Sequence, residues 1–468
     1  MKKSVTTYSA TPQSAKVLKE QLRLQAFGSS SSMPSVSLEH VKKGLSNRER
    51  LSVLLEGELN FHGESSGYAS HDLHAFAAKF PPQLPRTFIR GLTHPGDLVL
   101  DPMMGSGTTI VEAFLEGRIG LGFDIDPLAL RLTQVKTSPT DTEKLYHIGV
   151  RVLASADEWL SDGRAIDKAL SRRFDEPTKA FLDYWFLPET QRELLALVLA
   201  IQKENDVSVR NFLELTFSSI IVTKSGGVSR ARDLAHSRPH LDETKPLKNS
   251  LEQFSAKFRK NLISISRLKS NGISAFPMAC DARLMPLADQ VVDLIVTSPP
   301  YANAIDYMRA HKFSLVWLGE NLKELSNLRS EYIGSERTRG ASFFKLPQKP
   351  ESIIQHLSQH DCKKAAILQK YFVDMKVVFS EMYRVLRYNS VAVVVVGSST
   401  MRGIDVETHL CLADLAAETG FDIVGMVKRH LDRNKRMMPA RFNQHSSSGI
   451  EQRIHEEYVI GLMKPNLS

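Results

Sequence analysis

Three acids and one tetrapeptide in this chain have the types and spacing to do chemistry. Asp101 opens the loop "DPMMGSGTT" (101 to 109). There Gly105 and Gly107 permit a tight turn and close approach of backbone to a ligand, and the helix that follows begins with unpaired N–H groups. No G-K-[ST] and no G-x-G-x-x-G is present, which argues against a triphosphate or dinucleotide site. An acid at the mouth of such a loop suits a cationic ligand or an amine. Asp124, in "GFDIDP", can accept both hydroxyls of a ribose; the other reading is that Asp124 or Asp126 caps the next helix. Asp281, in "ACDAR", can bond an adenine amine or close a turn. The tetrapeptide is Ser298-Pro299-Pro300-Tyr301. It joins a small hydroxyl, two prolines that fix φ and lack N–H donors, and a flat ring. Out of context it is also a strand ending in a Pro-Pro turn.

These residues need elements to hold them. Apolar runs at 97–102, 119–125, 273–279, 291–298, 391–399, 421–427 and 456–464 alternate with helical spacing, as in "TTIVEAFLEG" (108 to 117) and "ILQKYFVDMKVVFSEMYRVLR" (367 to 387). Such alternation predicts an α/β fold with a seven-stranded, mostly parallel sheet covered on both faces. Residues 136–270 read as a large helical insertion. The expected organisation is a flexible basic segment over 1–65, with "GSSSSMPS" as linker, and folded structure from near 70. A catalytic domain then spans 66–135 and 271–468, interrupted by the insertion.

The tetrapeptide, the glycine loop, "GFDIDP" and the upstream "FPPQLPRTFIRGL" together resemble the amino-methyltransferases of DNA. Those enzymes use S-adenosylmethionine to methylate cytosine N4 or adenine N6. The resemblance covers about 71–135 and 272–318, with a looser match in the strands to 464. It implies a Rossmann-like methyltransferase sheet. It implies cofactor contacts at Phe80, Asp101, Pro102, Met103, Gly105, Ser106, Gly107, Thr108, Asp124 and Asp281. Met103 stands where the family motif carries an aromatic residue, which weakens one packing contact. An exocyclic amine is a poor nucleophile because its lone pair is delocalised into the base. Two acceptors aimed at its N–H groups draw the nitrogen toward tetrahedral geometry. The resemblance assigns these to Ser298 Oγ and the Pro299 carbonyl, held rigid by Pro300, with Tyr301 stacking on a flipped base. Serine in the first position resembles the cytosine-N4 members; adenine N6 is the alternative. No Pro-Cys pair supports C5 methylation.

The 468 residues carry a formal net charge of +8, which favours a polyanionic partner, here double-stranded DNA. Residues 226–270 hold ten Lys/Arg against four Asp/Glu. Arg230, Arg232 and Arg238 there are candidate DNA contacts, as are Arg433, Lys435 and Arg436 in "KRHLDRNKRMMPAR"; the plain alternative is solvated loops. The insertion is a candidate target-recognition region, with 319–365 a second. A cognate restriction endonuclease is a possible partner. Three scattered cysteines suggest neither disulfides nor zinc, and no signal peptide or membrane span is evident, so a cytoplasmic protein without metal is expected. Rival readings are methylation of RNA guanine or protein glutamine, and a non-catalytic nucleic-acid-binding relic.

Overall fold

The computed structural model describes residues 44–223, 225–232, 234, 239–246, 248–269, 272–302, 306–335, 345–431 and 456–466. Its main sheet has seven strands: β1 Leu98–Asp101, β2 Ile119–Asp124, β3 Ala275–Ala279, β4 Val292–Thr297, β5 Leu386–Gly397, β6 Asp422–His430 and β7 Glu456–Met463. Their order is β6-β7-β5-β4-β1-β2-β3. β7 pairs antiparallel with both β5 and β6, while the remaining neighbours pair parallel. This is the Rossmann-like, mostly parallel sheet that was expected, with its seven strands where the apolar runs stand.

Alternation along the strands explains the layering. In β5, Val391, Val393 and Val395 join a core with Leu84, Phe88 and Ala113 on one face. Ala392, Val394 and Val396 pack on the other face with Leu368, Phe372 and Leu412. A strand buried on both faces must be apolar at every position. Gly120 and Gly122 in β2 are the exception. A Cβ on Gly120 would sit 3.0 Å from Ile110, and one on Gly122 would overlap Met104. The third apolar run becomes the edge strand β3, where Phe276 and Met278 are exposed and Pro277 is tolerated because an edge can lack one donor.

The N-terminal expectation is corrected. Helix α1, Asn47–Glu56, begins with a capping box between Ser46 and Glu49. Its buried Leu51, Leu54 and Leu55 lie against the sheet and against α2, Gln83–Leu92. Gly461 of β7 and Gly91 of α2 leave the room: a Cβ at either would come within 2.7 Å of a leucine methyl of α1. The pattern is short and follows a long polar stretch, so it is weak in sequence, although its three leucines close one end of the sheet.

The insertion supplies helices Thr142–Ser161, Gly163–Arg173, Glu176–Trp185, Pro188–Gln202, Val207–Ile221 and Ser250–Ile265, with a short hairpin pairing Ala231–Arg232 and His240–Leu241. Its core is continuous with Phe114, Leu128 and Leu132 of the catalytic region and with Phe313 and Trp317, downstream of the tetrapeptide. Among the described residues no helix is long and apolar enough to cross a membrane.

Candidate active site

Strand order reverses about β1 and β4, whose centres pair as Val99 with Leu294 and Leu100 with Ile295. Ligands in open α/β sheets bind at the carboxyl ends of strands at such a reversal. Asp101 ends β1 and Thr297 ends β4. Thr297 Oγ1 donates to Asp101 Oδ1 at 2.7 Å, and the Met103 amide donates to the same oxygen at 3.2 Å. Burial pushes the Asp101 carboxyl up to about 6, against these hydrogen bonds.

The glycine loop turns back onto β2. The Met104 amide donates to the Phe123 carbonyl, the Gly105 amide to Asp124 Oδ2 at 2.9 Å and the Asp126 amide to Asp124 Oδ1 at 2.9 Å. Burial, then repulsion from Asp126, raises Asp124 to about 7. Gly105 (φ +48°) and Gly107 (φ +72°) are both left-handed, yet they are glycine for different reasons. A Cβ on Gly107 would overlap Thr133, whereas one on Gly105 meets only the Phe76 ring at 3.3 Å. Gly107 therefore packs α3, Thr108–Leu115, against α4, Pro127–Lys136, and Gly105 lines the cleft. Buried Lys136 donates to the Ser106 carbonyl at 2.7 Å and braces the loop from behind. The capping alternative resolves cleanly: Asp126 caps α4 through the Leu128 amide at 2.8 Å, and Asp124 does not.

A cleft of about 340 Å³ opens here. Phe80, Asp101, Pro102, Met103, Gly105, Ser106, Thr108, Asp124 and Asp281 line it together with Ser298 and Pro300. Gly107, Pro299 and Tyr301 are not in its wall. The expected stacking role of Tyr301 thus has no counterpart in this cleft. Its hydroxyl instead donates to Glu457 Oε1 at 2.7 Å, and Glu457 pairs with buried Arg429. Gly397 accommodates the ring, since a Cβ there would lie 2.7 Å from Tyr301 Cε2. Asp281 lines the wall but is gripped by Arg283, whose backbone amide and Nε each donate at 2.9 Å. Burial alone would raise its carboxyl; Arg283 holds it below the ordinary range.

Several lining residues escaped the sequence reading. Phe76 stacks on Tyr307, ring centroids 5.1 Å apart, and His311 Nδ1 lies 2.6 Å from Asp126 Oδ2. Arg309, Arg329 and Tyr332 also line the cleft. The available signal was the density of polar and aromatic types in "DYMRAH" (306 to 311), just past the tetrapeptide. Of the basic candidates, Arg230 pairs with Glu243 at 3.2 Å and Arg232 with Asp242. Their segment reaches the cleft through Val222 and Leu234. Arg238, Arg433, Lys435 and Arg436 lie outside the described residues.

Comparison with known proteins agrees with this geometry. A family model described as DNA methylase, covering N6 and N4 enzymes, matches residues 42–135 and so includes α1. The Type II methyltransferase M.MvaI of Kocuria varians is 23% identical over 384 residues, 76% of this chain and 83% of that one. M.AvaI of a Nostoc species is 23% identical over 361 residues, 69% of this chain and 73% of its own. M.MjaII of Methanocaldococcus jannaschii is 31% identical over 149 residues, 31% of this chain and 28% of its own. The glycine loop, Asp124 and Ser298 are drawn into one cleft, the first two of these relatives match along 76% and 69% of the chain, and the chain is similar to the N4/N6 amino-methyltransferases of DNA.

Proposed function

We propose that this protein transfers a methyl group from S-adenosylmethionine to the exocyclic N4 of cytosine in duplex DNA. The observation that carries the reading is the Thr297–Asp101 hydrogen bond at 2.7 Å. It ties the strand that presents Ser298 to the acid that opens the glycine loop, so both groups line one cleft. The donor set fits the cofactor. Buried Asp101 and Asp124 suit a ligand with cationic centres and a ribose diol, and Asp281 lines the same cleft. When bound, the cofactor supplies a methyl group activated on a sulfonium.

The chain's own residues do the rest. Ser298 Oγ, in the cleft wall, accepts one amine N–H of the base and helps turn its lone pair out of the ring; the neighbouring Pro299 carbonyl, outside that wall, is the second acceptor that the family resemblance implies. Two prolines keep competing amides away from those acceptors. Tyr301, fixed through Glu457, holds the end of the Pro-Pro step in place. Serine in the first position favours cytosine N4 over adenine N6. The test is expression in a methylation-free host followed by nucleoside mass spectrometry of its DNA. N4-methylcytosine is the expected product. N6-methyladenine in its place overturns the choice of base, and modified RNA or protein with unmodified DNA overturns the substrate.

A further inference from the structure

The floor of the cleft is acidic: Asp101, Asp124, Asp126 and Asp281 all line it. Those acids suit a cationic cofactor and repel a nucleic-acid strand, so a strand brought to Ser298 needs positive charge at the rim. The structure supplies it after the tetrapeptide. Arg309 lies in helix Met308–Leu315 and Arg329 in helix Leu322–Glu331. Both line the cleft, and both converge on a single carboxylate, Asp306. Arg309 Nε lies 2.9 Å from Asp306 Oδ2, and Arg329 donates to the same oxygen through Nε and Nη2. Asp306 Oδ1 is buried and makes no hydrogen bond among the described residues.

Three donors on one oxygen and none on the other hold the two guanidiniums side by side. The arrangement uses one negative charge to gather two positive ones. A third cation, Lys312, stands in the same cluster with its amine 5.1 Å from the Phe181 ring centroid. Burial lowers its pKa, and the charges of Arg329 and Arg309 lower it further, partly offset by Asp306. Among the described residues the cluster thus gathers three cationic side chains about one carboxylate. The arginine side chains remain about a quarter to a third exposed (24% and 32%), within reach of a ligand at the rim. Paired guanidiniums suit the two-oxygen face of a phosphate.

Building on the DNA reading above, we propose that Arg309 and Arg329, set by Asp306, form an anion subsite for a DNA phosphate beside the nucleotide that enters the cleft. The test uses the full chain with Arg309→Gln and Arg329→Gln combined. Duplex affinity is followed by fluorescence anisotropy across a salt series, cofactor affinity by calorimetry, and folding by thermal melt. The expected result is roughly tenfold weaker binding to duplexes of unrelated sequence. The slope of log Kd against log salt should fall by about 1, the value for one phosphate, with S-adenosylmethionine affinity unchanged within about twofold. If the double variant does not fold, the single change at the more exposed Arg329 gives the same readout. An unchanged duplex affinity and slope overturns the subsite. Lost cofactor affinity with duplex binding intact also overturns it, because the pair would then serve the cofactor's carboxylate. A wild-type chain with no salt-dependent affinity for duplex DNA overturns the DNA reading itself.

Discussion

The two halves of the cleft are held by opposite means. The cofactor half is local. Asp101, the glycine loop, Asp124 and α4 come from one stretch of fewer than forty residues (98–136), and they bond mostly to one another. The target half is assembled at long range. Ser298 ends a central strand, Tyr301 is anchored 156 residues away on Glu457, and the rim comes from two helices that pack with the insertion. Thr297 donates to Asp101 across the ends of β1 and β4 where the halves meet, and Thr109 Oγ1 donates to the Val296 carbonyl beside it. Cofactor binding and catalytic rate should therefore be separable by mutation.

Ser298→Ala removes one of the two proposed amine acceptors and leaves the cofactor half intact. Loss of one such contact in a dry site costs on the order of 10²–10³ in kcat. Single-turnover kinetics should show that loss with cofactor affinity unchanged in calorimetry; full activity would sink the mechanism.

The two left-handed glycines split differently. Gly107→Ala forces a Cβ into Thr133 at φ +72° and should destabilise the fold by roughly 1–3 kcal/mol, seen as a lower Tm. Gly105→Val crowds the Phe76 ring and the ligand-facing surface, so cofactor affinity should collapse while more of the fold survives. Equal loss of stability in both variants contradicts the assignment of Gly105 to the ligand.

Asp124 makes the cofactor half pH-sensitive. Its folded pKa, about 7, lies above the ordinary carboxylate value of 3.8. Between those values the folded state holds more protons than the unfolded one, so this acid's contribution to stability is present at low pH and is lost as pH rises toward 7. The Tm of the cofactor-free wild type minus that of Asp124→Asn should decrease from pH 5 to pH 8. Cofactor affinity should move the other way, rising through about pH 7 as the carboxylate forms, and this rise should vanish in Asp124→Asn. A flat profile in the wild type removes Asp124 from the binding role.

The smallest effect belongs to the basic hairpin. Arg230 and Arg232 are already paired with Glu243 and Asp242, and exposed pairs of this kind contribute little net field. Changing both to Gln should shift the salt slope of duplex binding by less than about 0.5, well below the shift from Arg309 and Arg329. A larger shift returns the main phosphate contact to the insertion.

The difference between the halves also decides what could be read from the chain. Local polar contacts leave local spacing, so the glycine loop, Asp124 and the tetrapeptide were legible, as were seven strands marked by continuous apolar runs. Helix α1 was missed because Leu51, Leu54 and Leu55 follow a long polar segment, and their partners, Gly91 and Gly461, are distant. Arg309, Arg329 and His311 were missed because nothing in their spacing shows that the chain after Ser298 folds back over the acids of β1 and β2.

By itself, then, the sequence determined the class of sheet, a glycine loop and acids that come to share one cleft, and a hydroxyl beside a rigid Pro-Pro step. Each follows from period, backbone freedom or side-chain chemistry within a few residues. Only the tertiary structure decided which of two left-handed glycines lines the cleft and which faces Thr133. It alone showed that Tyr301 is committed to Glu457, and that Arg230 and Arg232 are already neutralised while one carboxylate gathers two arginines at the rim. Those outcomes depend on which distant side chain occupies the same few ångströms, and adjacency of that kind leaves no period in a chain.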